Sequence, residues 1–111
     1  MLNLSGWLFL SAAILFEVTG TTLMKVSDGF TKLLPSALMF VCYGISLAAL
    51  TYAVQRIEIG IAYAVWSGVG TMLITVIGAV FFLQTLSMAQ IGGIALIVSG
   101  VAVLNLGGNI Y

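Results

Sequence analysis

Glu17 is a carboxylate inside an apolar stretch that runs from Leu4 to Met24 with no other charge. An acidic side chain near the centre of a membrane helix costs about 2.5–3.5 kcal/mol on insertion scales, and ionisable groups at that depth usually mark an ion or substrate pathway. A later apolar stretch carries Tyr63 and Trp66 at i, i+3 spacing. Aromatic faces attract cations, Trp best, and more strongly when desolvated. Tyr43 and Ser46 share that spacing in an intervening stretch. A buried tyrosine hydroxyl needs a partner, and Glu17 is a candidate. One carboxylate among aromatic rings suits the binding of a cation or a proton. Other chemistries lack their residues. There is no histidine and one cysteine, Cys42, so no metal cluster, disulfide framework or Cys/His nucleophile pair can be assembled. No enzyme reading and no cofactor follow from this inventory. Zero net charge argues against nucleic acid as a partner.

On a helix, Leu10, Ala13, Ile14, Glu17, Gly20, Thr21 and Met24 fall on one stripe by i, i+3, i+4, i+7 spacing. The stripe is one acid flanked by small or flexible residues, with a hydroxyl one turn away. Small residues permit close helix approach and leave room beside the carboxylate. A structural role, with Glu17 tied to a hydroxyl or a carbonyl, is the competing reading. Trp66 lies deeper than an interfacial aromatic belt would require, whereas Tyr63 is close enough to a loop to belong to one. Gly68 and Gly70 either loosen their helix into a bend or admit a neighbouring helix. Gly93 and Gly100, seven residues apart, mark a narrow packing seam.

The elements that must carry these residues follow from composition. The 111 residues are 62% hydrophobic and 5% charged, where a soluble domain carries about a quarter charged residues. The solvent of such a chain is lipid. A span needs about 20 apolar residues. Four segments are predicted as membrane helices, at about 4–25, 33–55, 59–83 and 88–107, in a single membrane domain, 1–111. Pro35 suits the first turn of the second. The first segment is no convincing secretory signal, because no Lys or Arg precedes it and three similar segments follow. The connectors are too short to hold a soluble domain, so both termini share one side. Lys25 and Lys32 lie in the first loop, and Arg56 in the second. The positive-inside bias is therefore close to nil, which suits either a weak preference or a chain that inserts both ways. At 1.5 Å per residue, Glu17 stands about 12 Å from Lys25 and about 20 Å from Leu4, near the midplane. Four helices scarcely enclose a pocket for a drug-sized cation, whereas a dimer does.

Two long motifs and several short ones carry a resemblance. They are Glu17-Val18-Thr19-Gly20-Thr21-Thr22-Leu23-Met24-Lys25, Ser27-Asp28-Gly29-Phe30-Thr31-Lys32, Pro35-Ser36, Cys42-Tyr43, and Gly60-Ile61-Ala62-Tyr63-Ala64-Val65-Trp66-Ser67-Gly68-Val69-Gly70. Together they resemble the small multidrug resistance transporters over nearly the whole chain. The resemblance implies an all-α integral membrane protein of four helices, working as an antiparallel, dual-topology homodimer in a prokaryotic cell membrane. It implies exchange of protons for lipophilic or quaternary ammonium cations, with both competing for Glu17. It places Tyr43, Tyr63 and Trp66 around that site, with Ser46 beside Tyr43. Leu10, Ala13, Ile14, Gly20, Thr21 and Met24 match the family's pocket-lining face. Gly68 and Gly70 match its helix kink, and Gly93 and Gly100 its dimer seam. The family's guanidinium exporters tend to carry tryptophan three residues after the glutamate, where this chain has Gly20. The third loop has Thr85 in place of a frequent basic residue.

Three other classes share some of these features. A proton-carrying subunit of a rotary machine also uses a lone membrane carboxylate amid glycines, but not four spans and an aromatic cluster. A passive cation channel would not couple cation movement to a proton gradient. In a structural subunit of a membrane enzyme, Glu17→Gln would be silent.

Overall fold

The computed structural model describes residues 4–107. Within them the chain forms four helices and no strand: α1 (Leu4–Val26), α2 (Leu33–Ala53), α3 (Ile59–Phe81) and α4 (Met88–Gly107). All four are long and apolar enough to cross a membrane. Helix α2 ends at Ala53, two residues before the predicted 55, and α3 at Phe81, two before the predicted 83.

Local chemistry sets the ends. After α1, Ser27 is buried and organises the first turn. Its Oγ donates to the Met24 carbonyl at 2.8 Å and accepts from the Phe30 amide at 3.2 Å. Asp28, Gly29 and Phe30 all have positive φ, of 50°, 70° and 68°. Glycine and aspartate tolerate this region, whereas a bulky residue is strained there. The Phe30 ring stacks on Phe40, centroids 6.1 Å apart, which offsets part of that strain. At the start of α4, the Ser87 amide donates to Gln90 Oε1 at 2.8 Å while the Gln90 amide donates to Ser87 Oγ at 3.1 Å. This reciprocal capping box satisfies two amides that the helix leaves without partners.

Helix α1 packs along α2 and against α3, and α4 packs mainly on α3. The core joins Leu10, Ile14 and Val18 of α1 to Ala53, Ile57, Ile61, Ala62 and Val65. Ile57 reaches it from the second connector because Gly6 is bare. A Cβ on Gly6 would stand 3.0 Å from the Ile57 side chain. The assembly is a slab, with Cα extents of 45 × 35 × 16 Å. Such a slab cannot wrap a ligand, so any site is a cleft on a face. None of the most apolar stretch of α4 is buried. Gly93 and Gly100 both look onto open space.

Candidate functional site around Glu17

Three helices converge on Glu17. Its carboxylate is half-buried on α1 and its two oxygens have different surroundings. Thr21, one turn on, donates its hydroxyl to Glu17 Oε1 at 3.0 Å. Thr21 Oγ1 also lies 2.8 Å from the Tyr43 hydroxyl of α2. A hydroxyl has one proton. With Thr21 donating to Glu17, Tyr43 donates to Thr21, and a chain of two hydroxyls ends on the acid. Tyr43 is thus not the direct partner of Glu17 that its position suggested. Thr21 stands between them.

Gly20 makes this chain possible. A Cβ there would meet the Tyr43 ring at 2.7 Å, so only glycine lets the ring lie against α1 with its hydroxyl at Thr21. Gly70 of α3 lies beside the other oxygen without being required by it. A Cβ on it would stand 3.6 Å from Glu17 Oε2. Glu17 and Gly70 border a cleft of about 180 Å³ that is also lined by Trp66, Ser67, Thr71 and Ile74. Trp66 packs against Tyr63 with centroids 5.3 Å apart and the rings tilted by 44°. Its indole Nε1 is buried without a hydrogen-bond partner among the described residues. Such a donor costs about 1–3 kcal/mol until an acceptor arrives.

A model of the Small Multidrug Resistance protein family matches residues 5–97. The chain belongs to the small multidrug resistance family. It is similar to the quaternary ammonium compound-resistance protein QacE of Escherichia coli, 48% identical over 93% of this chain and 94% of that one. It is similar to the multidrug transporter EmrE of Escherichia coli (strain K12), 47% identical over the same shares. An uncharacterised Bacillus subtilis membrane protein, YvaE, is 53% identical over 91% of this chain and 85% of its own length. Small multidrug resistance proteins are transporters, not enzymes, and this one is a multi-pass protein of the bacterial inner membrane.

Several residues of this small multidrug resistance chain lie elsewhere than the sequence suggested. Leu10, Ala13 and Ile14 do not line the cleft. They are 1%, 0% and 5% exposed, filled against their own α2 and α3. Their stripe is continuous with Glu17, but its N-terminal half is core. Met24 is 43% exposed at the far end of α1 and lies outside the cleft. Ser46 is buried and donates to the Ala13 carbonyl at 2.7 Å, so its hydroxyl ties α2 to α1 rather than facing a ligand. Tyr63 is 60% exposed. It borders a separate groove with Leu47, Leu50, Thr51, Val54 and Ile59.

The two glycines of α3 divide the roles left open for them. Helix α3 runs unbroken from Ile59 to Phe81 through both. A Cβ on Gly68 would meet Val101 at 2.6 Å and Ile97 at 3.1 Å, so Gly68 admits α4. Gly70 borders the cleft beside Glu17, where a Cβ would make only an ordinary contact. Ser67, Thr71 and Ile74 were missed by the sequence reading. The signal was present: with Trp66 and Gly70 they repeat the i, i+3, i+4 spacing that marked α1.

Proposed function

We propose that the chain is a proton-coupled antiporter that exports lipophilic and quaternary ammonium cations. One observation carries the reading: Glu17 Oε1 is held by neutral hydroxyls, and Glu17 lines an open cleft together with Trp66. The printed names of QacE and EmrE support the substrate class. So does the sequence, since no Lys or Arg lies among the apolar cores of the helices to neutralise Glu17.

A cation in the cleft meets the carboxylate with its charge and Trp66 with its apolar or aromatic body. A proton on Glu17 removes the charge that holds the cation. Each therefore expels the other, and exchange follows from competition for one group. The Tyr43–Thr21 chain reaches Glu17 through neutral hydroxyls and supplies no counter-charge, which leaves that part to the cation.

The working unit is an antiparallel homodimer. A cleft of about 180 Å³ is small beside the 300–1,000 Å³ typical of ligand pockets. A second slab laid face to face would enclose it and bring in a second Glu17. The open glycine face of α4, at Gly93 and Gly100, supports its use as the seam between copies. Two inverted copies supply the symmetry that alternating access requires. The contact of Gly20 with Tyr43 supports the multidrug rather than the guanidinium branch, because a tryptophan at position 20 has no room there.

The test is Glu17→Gln and Glu17→Asp in proteoliposomes with an imposed proton gradient. Wild type drives uphill cation movement and Glu17→Gln does not. Proton-driven transport surviving in Glu17→Gln would sink the proposal, and downhill flux alone in the wild type would mean a channel. Trp66→Ala lowers affinity for aromatic cations while proton uptake by Glu17 persists.

A further inference from the structure

Thr71 stands near the middle of α3 and lines the Glu17 cleft. Its hydroxyl departs from the habit of the other span hydroxyls. A serine or threonine inside a helix can place its hydroxyl on the carbonyl one turn back. On α3 itself, Ser67 donates to the Tyr63 carbonyl and Thr75 to the Thr71 carbonyl. Ser11, Thr19, Thr51 and Ser99 do the same on the other helices. The Thr71 hydroxyl makes no hydrogen bond among the described residues. At this depth lipid offers it no partner, so an unpaired hydroxyl is costly.

Its surroundings say what chemistry would complete it. Gly70 immediately precedes Thr71, and a Cβ on Gly70 would stand 3.6 Å from Glu17 Oε2. Consecutive Cα atoms are about 3.8 Å apart, so Thr71 lies one short substituent away from a charge paired with that carboxylate. Trp66 lines the same cleft and carries the buried indole N–H that lacks a partner among the described residues. An indole N–H only donates, whereas a hydroxyl both donates and accepts. A neutral oxygen on the ligand satisfies either group, while a ligand N–H would satisfy Thr71 alone. Thr71 also borders the groove between α3 and α4, where the other polar side chain is Ser67, already committed to Tyr63.

We propose that Thr71 is a specificity-determining residue, whose hydroxyl binds an oxygen close to the charged nitrogen of the cation. The site thereby accepts hydroxyl- or ether-bearing quaternary ammonium ions that an apolar wall would discriminate against. The inference rests on the cation-binding reading above and names a substrate class within it. The charge of the cation goes to Glu17, its apolar body to Trp66 and its oxygen to Thr71. With the Thr71 hydroxyl removed, the ligand oxygen leaves water without a partner, which costs more than the loss of a favourable contact.

The test compares two cations of matched shape, benzyl(hydroxyethyl)dimethylammonium and benzyldimethylpropylammonium, which differ by a terminal hydroxyl in place of a methyl. Their affinities for the solubilised protein are measured by isothermal titration in wild type, Thr71→Val and Thr71→Ser. The ratio of the two affinities is the readout, since a change of shape or fold alone moves both together. In Thr71→Val the hydroxyl-bearing cation is expected to weaken about tenfold relative to the propyl one, within the range for an added hydroxyl in an apolar pocket. Thr71→Ser should restore the wild-type ratio. If Thr71→Val disturbs the fold, Thr71→Ala carries the same comparison. An unchanged ratio in the variant, or an equal loss of both affinities, overturns the proposal. Binding of neither cation to wild type would instead overturn the cation-binding reading itself.

Discussion

The Tyr43 ring lies where a side chain on Gly20 would be: a Cβ at position 20 would stand 2.7 Å from two of its ring carbons. A missing side chain on α1 thereby sets the height at which α2 presents its tyrosine hydroxyl, 2.8 Å from Thr21. Gly20→Ala should push the ring away and break that hydrogen bond. Overpacking of this kind costs about 1–3 kcal/mol. SDS titration of the solubilised protein should register the loss. In a Tyr43→Phe background the functional part of the Gly20→Ala effect should vanish, because the hydroxyl it displaces is already gone. Equal effects of Gly20→Ala on cation affinity in both backgrounds would refute the link.

Ser46→Ala should act on stability and not on ligand. The lost bond to the Ala13 carbonyl is buried and short, 2.7 Å. Its removal is expected to cost about 0.5–1.5 kcal/mol. Cation affinity per folded protein should stay near the wild-type value, as isothermal titration would show. A large fall in affinity with unchanged stability would return Ser46 to the binding site.

Gly68→Val should pry α4 from α3. Its new side chain meets Val101 and Ile97, and Val101→Ala should recover most of the lost stability by vacating the clash at 2.6 Å. The double-mutant coupling is expected to be about 0.5–3 kcal/mol, the range for residues in contact. If Gly68 served instead as a flexible point in α3, Val101→Ala would rescue nothing.

Ser87→Ala removes half of the capping box that opens α4. The expected cost is about 1 kcal/mol. Hydrogen exchange should quicken at the amides of Ser87 and Gln90 and leave α1 and α2 unchanged. Uniform quickening across the four helices would show that the box guards the whole fold and not one helix end.

The four spans were legible because lipid imposes a simple rule. Every backbone polar group must be satisfied within its own segment, so long apolar runs become helices. The isolation of Glu17 was legible for the same reason, as a charge in the wrong solvent. The stripe on α1 is one face in the fold, but its N-terminal half is buried. Leu10, Ala13 and Ile14 share its face with Glu17, yet α2 and α3 close over them while leaving a cleft beside the carboxylate. Spacing shows which residues share a face and not where a neighbouring helix ends its cover. The α3 stripe of Ser67, Thr71 and Ile74 obeyed the same spacing and was passed over because it holds no charge to draw attention.

Composition and periodicity sufficed for the solvent, the number of helices, the lone carboxylate and the family likeness, since these depend on local hydrophobicity and on residue identity. The partner of each oxygen of Glu17 did not follow from them. That Thr21 stands between Glu17 and Tyr43, that Gly20 makes room for a ring and Gly68 for α4, and that Ser46 is committed to Ala13 are facts about how helices distant in sequence approach each other. Close packing decides them, because at these distances the presence or absence of one Cβ determines which side chain fits.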